Sequence, residues 1–425
     1  MELKPGYKQT EVGVIPEEWQ LVPFSELLDF RNGVNADKSA YGKGVRFINV
    51  LEPITYSHIR ASDIPGRVYL SKSATDSYAV HYGDLVFNRT SETQEEVGLS
   101  AVYCDEEPVV FGGFVIRGRP KNGSLDPSYS GYGFRSPTIR SQIIARGQGA
   151  IRANIGQADL RQVLAPVPPL PEQRAIAEAL GDIDALLGAL TQLIAKKRDL
   201  KQAAMQQLLT GHQRLTGFSG QWSTYTFGEL FDLLRNASNS RADLVADGEV
   251  GYLHYGDIHI HSSQFFDCGR DLRTFISADK VRSTPLMADG DLVMVDASED
   301  TEAIGKAVEI TGHNGFGAVA GLHTLLLRAK GDRLADGFKG YLQYFSAVRE
   351  ALVRMATGVS VYGISKSNVR TISLAVPDID EQKAIAAVLS DMEAEITALE
   401  ARLAKTRDLK QGMMQELLTG RTRLV

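Results

Sequence analysis

One feature limits the fold of this chain more than any other: its second half repeats its first. Gln173-Arg174-Ala175-Ile176-Ala177 returns as Gln382-Lys383-Ala384-Ile385-Ala386. Arg198-Asp199-Leu200-Lys201-Gln202 returns as Arg407-Asp408-Leu409-Lys410-Gln411, and Leu208-Leu209-Thr210-Gly211 as Leu417-Leu418-Thr419-Gly420. All three pairs share one offset, and 25 of the 45 positions from 167 to 211 are identical to their partners. A weaker echo pairs Trp19, Phe24 and Leu27 with Trp222, Phe227 and Leu230, and Gly83-Asp84-Leu85-Val86 with Gly290-Asp291-Leu292-Val293. A period of about 200 residues marks a duplicated domain pair, since solenoid units are far shorter.

The best-preserved stretches read as helices. Pro168-Pro169-Leu170-Pro171 punctuates the chain, and Glu172 follows in a first helical turn. Asp378-Ile379-Asp380-Glu381 sets acids at the matching start, where the helix dipole favours them. For about 40 residues no breaker follows, which makes each helix roughly 60 Å long. Ile176, Leu180, Ile183, Leu187, Leu190 and Ile194 alternate steps of four and three, as do Ile385, Leu389, Met392, Ile396, Leu399 and Leu403. That is a coiled-coil seam, and the partner expected for each stripe is the other copy, antiparallel. Lys197 and Lys201 enter the seam, matched by Thr406 and Lys410; their stems are expected to pack while the ammonium groups stay in water. Gly211 and Gly420 stand where helix-ending glycines belong.

Outside the helices, Val45–Val50, Asp84–Phe87, Pro108–Phe111 and Gly290–Val295 read as strands, and Ser136–Arg146 and Phe338–Arg354 as helical patches. The expected fold is α+β: two mixed α/β domains, 1–165 and 214–375, joined by helical segments 166–213 and 376–425 that form an antiparallel coiled coil with pseudo-two-fold character.

Composition excludes several classes. Only Cys104 and Cys268 are present, so neither a disulfide framework nor a Cys-rich zinc site is expected, and a reducing cytoplasm is the natural compartment. The opening Met1–Gly6 lacks the apolar run of a signal peptide, and no stretch is long and apolar enough to span a membrane. The net charge of −6 argues against a small basic DNA-binding module, although Lys and Arg total 46 and a fold can gather some of them on one face.

Catalytic motifs are scarce. Phe111-Gly112-Gly113-Phe114 superficially resembles the turn that binds AdoMet, but a strand turn explains it, and no Asn-Pro-Pro-Tyr or Asp-Pro-Pro-Tyr segment accompanies it. There is no Gly-x-x-x-x-Gly-Lys-Ser/Thr loop. Asp199-x-Lys201 and Asp408-x-Lys410 lie inside helices, where solvated charges explain them. His254, His259 and His261 cluster in sequence, with the last two on one face of an expected strand, yet spacing supplies no further metal ligands. No metal and no catalytic residue is expected.

The polar loops are more informative. Arg31-Asn32-Gly33-Val34-Asn35 matches Arg235-Asn236-Ala237-Ser238-Asn239, and Asn88-Arg89-Thr90 takes roughly the place of Asp296-Ala297-Ser298. Ile151-Arg152-Ala153-Asn154 answers to Ser360-Val361-Tyr362-Gly363. Arg and Asn are shaped for bidentate hydrogen bonds to guanine and adenine edges, and these loops change side chains while their framework repeats. The candidate DNA-binding residues are Arg31, Asn32, Asn35, Lys38, Asn88, Arg89, Thr90, Arg152 and Asn154 in the first half. In the second they are Arg235, Asn236, Asn239, Arg241, His254, Ser298, Ser360, Tyr362 and Lys366.

Tyr7-Lys8-Gln9-Thr10-Glu11-Val12-Gly13-Val14-Ile15-Pro16-Glu17-Glu18-Trp19 resembles the opening of specificity subunits of Type I restriction-modification systems. So do Pro168–Arg174, its echo Val376–Lys383, and the Lys-Gln…Leu-Leu-Thr-Gly helix endings. The resemblance covers essentially the whole chain. It implies two target-recognition domains reading a split, asymmetric sequence in double-stranded DNA, with a helical spacer between them. It also implies a subunit without catalysis of its own, docked to two modification (methyltransferase) subunits that bring AdoMet and, in the full complex, to restriction subunits that bring ATP, Mg, translocation and cleavage. A coiled-coil scaffold with protein-binding β domains is the alternative; an adenine methyltransferase acting alone fits poorly without its Pro-Pro motif.

Overall fold

The structure, a computed structural model, describes residues 5–149, 152–313 and 317–424; Ile151 of the loop above lies outside them. The chain forms two compact units: Met1–Thr191 with Ala401–Val425, and Gln192–Glu400.

In the first unit a five-stranded sheet runs in the order Leu28–Asn32, Val115–Pro120, Leu85–Asn88, Ser100–Tyr103, His58–Ile59. All neighbours are antiparallel except the last pair. The second unit builds the same sheet from Phe231–Leu234, Thr324–Ala329, Leu292–Val295, Ala307–Thr311 and Phe265–Asp267, again with only the last pair parallel. The central strands Leu85–Asn88 and Leu292–Val295 are buried on both faces, which explains their unbroken apolar runs. The echoed Gly-Asp before each strand has a structural cause. Asp84 is buried and takes two bonds from Arg119, at 2.9 and 2.7 Å, and Asp291 takes the same pair from Arg328. Two neighbouring strands are thus pinned by a bidentate ion pair in each unit.

The long helices are Leu170–Leu208 and Ile379–Leu417, 39 residues each. Gly211 and Gly420 follow three residues beyond the helix ends, with left-handed φ of 69° and 71°. Every seam position is at least half-buried. Ile176, Leu180, Leu190, Ile194, Ile385, Leu389 and Ile396 are buried, and Ile183, Leu187, Met392, Leu399 and Leu403 are intermediate. In the second unit Lys197 pairs with Glu395, Arg198 with Glu400 and Lys201 with Glu393; the two residue numbers of each pair add to nearly the same total, so the helices run antiparallel there. This adds a partner to the expectation for the seam cations. Lys197, Lys201 and, in the first unit, Lys410, which pairs with Asp184 at 2.6 Å, have half-buried stems as expected, but each ammonium also meets a partly exposed carboxylate across the helix pair. Thr406 is buried and donates to Arg402 O.

The echoed Glu-Gln at each helix start fastens the helix to its globular region. Glu172 is fully buried; it accepts from the Trp19 indole at 2.8 Å and from Arg423 at 2.5 and 2.9 Å. Gln173 bonds Ser124 O, Pro168 O and the Asp126 amide. In the second unit Glu381 takes the Trp222 indole and a bidentate Arg214, while Gln382 bonds Arg333 O, Pro377 O and the Ala335 amide. The two free thiols are both burdened by burial, Cys104 pushed up to about 11 and Cys268 to about 12, so both are protonated and unreactive at neutral pH.

The Glu172 clasp yields a stability test. Glu172→Ala leaves the buried Trp19 N–H without an acceptor and is expected to cost about 1–3 kcal/mol. Urea unfolding of the first unit, followed by Trp19 fluorescence in a Trp222→Phe background, checks it; an unchanged midpoint would show the clasp to be idle.

Candidate nucleic-acid interface

In the first unit the chain leaves the edge strand Leu28–Asn32 and folds against the turn after Val109–Phe111. Val34 N donates to Phe111 O, and Gly113 N to Val34 O. Gly112 and Gly113 are required there: an added Cβ would lie 2.5 Å from the Phe47 ring or 2.0 Å from Asn35 Oδ1. The Phe-Gly-Gly-Phe segment is thus a tightly packed strand turn whose amides are spent on neighbouring strands.

Asn35, Arg89, Thr90 and Asn154 gather around this turn, with Arg152 at its margin. Arg89 donates to Gly113 O at 3.3 Å. Thr90 donates to Asn154 Oδ1 at 2.7 Å across the short ladder of Thr90–Ser91 with Ala153–Asn154, and Asn154 donates in turn to Arg152 O. Arg152 and Lys38 are exposed, and so is Phe114, at 56%. Arg31 and Asn32 are exposed but stand apart: Arg31 lies 4.8 Å over the Tyr78 ring and donates to Ser77. Asn88 is a correction. It is fully buried, with Nδ2 on Glu96 O, and presents nothing to a ligand; the residue after it, not Asn88, emerges from the strand.

In the second unit Asn236 is braced. Its amide donates to Ala237 O and Gly321 O, and Lys366 donates to Leu234 O at 2.9 Å and to Asn236 Oδ1 at 3.4 Å. Burial holds Lys366 below the usual lysine range. Asn239 accepts from Tyr252 through its carbonyl. Arg235 and Ser360 are exposed, Tyr362 half-buried and Ser298 buried opposite it. Arg241 and His254 line a separate cleft of about 240 Å³ with Asp257 and Arg273. His254 is buried and caps a helix by accepting from the Gly256 amide; burial and then Arg241 press its imidazole below the ordinary value. That helix, Tyr255–Ile260, replaces the expected strand, so His259 and His261 share no strand face. His259 donates to Ala297 O and His261 to Phe265 O.

A larger cleft of about 530 Å³ opens between Tyr255, His259, Ser298, Asp300, His323 and Val361. Of the candidate DNA-binding residues only Ser298 belongs to it. The candidate set lacks His323, which lines it, and Asp296 beside it, whose Oδ1 lies 3.4 Å from His323 Nδ1. Burial raises the Asp296 carboxyl, and His323 pulls it the other way.

The backbone also corrects the alignment of the loops. Asp29 lies opposite Arg119, and Asp232 opposite Arg328. Val34 N donates to Phe111 O, and Ala237 N to Ala320 O. Arg31 therefore corresponds to Leu234 and Asn32 to Arg235, one residue off the match made from letters. A one-residue slip sends a strand side chain to the opposite face. The same holds at the second loop: Arg89 N bonds Phe114 O and Asp296 N bonds His323 O, so Arg89 answers to Asp296 and Thr90 to Ala297.

Comparison with known proteins supports the resemblance. The family model "Type I restriction modification DNA specificity domain" matches residues 16–198. The chain is 23% identical to the putative type I restriction enzyme MjaX specificity subunit of Methanocaldococcus jannaschii, over 99% of this chain and 97% of that one. It is 21% identical to the type I restriction enzyme EcoKI specificity subunit of Escherichia coli, over 96% and 90%. Among solved structures, the Type-I restriction-modification system S subunit from M. genitalium shares the fold at a TM-score of 0.55 and 15% identity, covering 98% of both chains.

Burial separates framework from surface in a measurable way. Asn88→Ala is expected to lose about 1 kcal/mol of stability, and the exposed Arg152→Ala less than about 0.5 kcal/mol. Urea titration of both variants compares them; equal losses would show that Asn88 is not an interior residue.

Proposed function

We propose that this chain, related along nearly its whole length to specificity subunits of type I restriction-modification systems, is the DNA sequence-recognition subunit of such a complex. Each unit reads one part of a bipartite, asymmetric target in double-stranded DNA, and the long helices set the unread gap. The observation that carries this reading is one framework built twice, with different polar side chains on the same edge of each copy. Phosphate contacts set register, while a few base-edge contacts choose sequence; a good bidentate pair discriminates by about 1–3 kcal/mol.

Catalysis lies with partners in this reading. Two modification subunits bring AdoMet and methylate adenine, restriction subunits bring ATP and Mg, and the assembly works in the cytoplasm. A chain of net charge −6 gains from partners that add cationic surface against the phosphates. No described helix is long and apolar enough to cross a membrane.

Filter binding of the chain with its modification subunit to duplex DNA tests the core of the proposal. Sequence-selective, salt-dependent binding is expected; absence of any preferred sequence would refute it. Replacing residues 1–165 with another reader is expected to change one half-site alone, and methylome sequencing that finds both altered would count against two independent readers. Inserting one helical turn before Leu208 and its match before Leu417 adds about 5.4 Å and is expected to widen the gap by about one to two base pairs; an unchanged gap would remove the helices as its ruler.

A further inference from the structure

One pair of positions differs between the units more sharply than its surroundings. Arg89 N donates to Phe114 O at 2.8 Å, and Ile155 N to Arg89 O at 3.0 Å; Asp296 N donates to His323 O at 3.2 Å, and Ile364 N to Asp296 O at 2.9 Å. The backbone bonds are the same, so the two pairs occupy one place in the fold. The side chains are opposite in chemistry. The first unit offers a guanidinium, which bonds Gly113 O, next in the fold to Phe114 with its exposed phenyl ring; the second offers a carboxylate 3.4 Å from an imidazole that is 49% exposed.

Resting on the DNA-reading role proposed above, we infer that Arg89 with Phe114 and Asp296 with His323 are specificity-determining pairs. The first selects a base that presents acceptors, the second a base that presents an exocyclic amino group. Arg89 makes one long bond, to Gly113 O, leaving its other N–H groups without a protein partner among the described residues. A guanidinium so placed fits the O6 and N7 acceptors of guanine, and the exposed Phe114 ring suits the methyl group of a neighbouring thymine.

Asp296 inverts that logic. A carboxylate repels phosphate, so its productive partner is a base edge: cytosine N4 or adenine N6, each of which donates. The site around it is built. His323 holds a left-handed φ of 57°, the only non-glycine residue described with a positive φ. Tyr255 meets the His323 ring edge-on at 5.3 Å and the His259 ring at 5.8 Å. The adjoining cleft of about 530 Å³ lies within the range that holds a small planar group. Lys366 is the nearby cation, but it is committed to Leu234 O and Asn236.

The test uses the full chain assembled with its modification subunits and selection from a randomised duplex library. Arg89→Ala is expected to relax one base position in the first half-site, with discrimination there falling roughly tenfold, and to leave the second half-site intact. Asp296→Asn is expected to do the reverse. His323→Gly, which removes the ring and suits the left-handed backbone, is expected to fold well and to relax the same position as Asp296→Asn. Unchanged preference in both second-unit variants, or relaxation in the wrong half-site, would overturn this inference and leave the general reading standing. Failure of the unaltered assembly to select any sequence would overturn the general reading and this inference with it.

Discussion

The structure turns on a carboxylate that water never reaches. Glu172 and Glu381 each stand at the start of a 39-residue helix, and each is satisfied by an indole and a guanidinium drawn from other parts of its unit. A buried charge is tolerated only when its hydrogen bonds are filled. The demand is therefore strict: tryptophan, arginine and helix start must arrive together, or the helix cannot dock. The adjacent glutamine ties the same turn to three backbone groups, which converts a contact into a fixed orientation. The small dipeptide repeated in sequence is thus the joint between helix and globular region.

Much of this was legible in the letters. The helices and their seam follow from periodicity and from an offset that holds without gaps over 45 residues, while the duplicated sheet shows only through the weaker Gly-Asp-Leu-Val echo. Strand interiors such as Leu85–Asn88 and Leu292–Val295 announce themselves because both faces are buried. The partners of the seam lysines were not legible, because helical spacing reveals which side of a helix they occupy but not the Glu393, Glu395 or Asp184 across from them. Their pairing depends on a register between helices that are far apart in sequence.

The candidate site was less legible, for a related reason. Loop matching by identity set Arg31 against Arg235, whereas the ladder sets it against Leu234. Arg-Asn is a short string, and two similar letters outweighed a framework defined by backbone amides. Asn88 reads as a contact residue and is interior, whereas Asp296, left out of the candidates, stands beside His323 at the edge of a cleft. His323 carries no local signal, because a left-handed φ of 57° at a non-glycine residue is not announced by its letter.

The make-up of the first unit bears on how the protein comes into being. Its parts include Tyr7, whose hydroxyl reaches Gly420 O, and Arg423 on Glu172, so it cannot close before residue 423 has been synthesised. The second unit draws only on residues 192–400. The usual order on a ribosome, in which the N-terminal domain matures first, therefore does not apply to the first unit: its opening residues stay without their final partners until the C-terminal residues 401–425 join them.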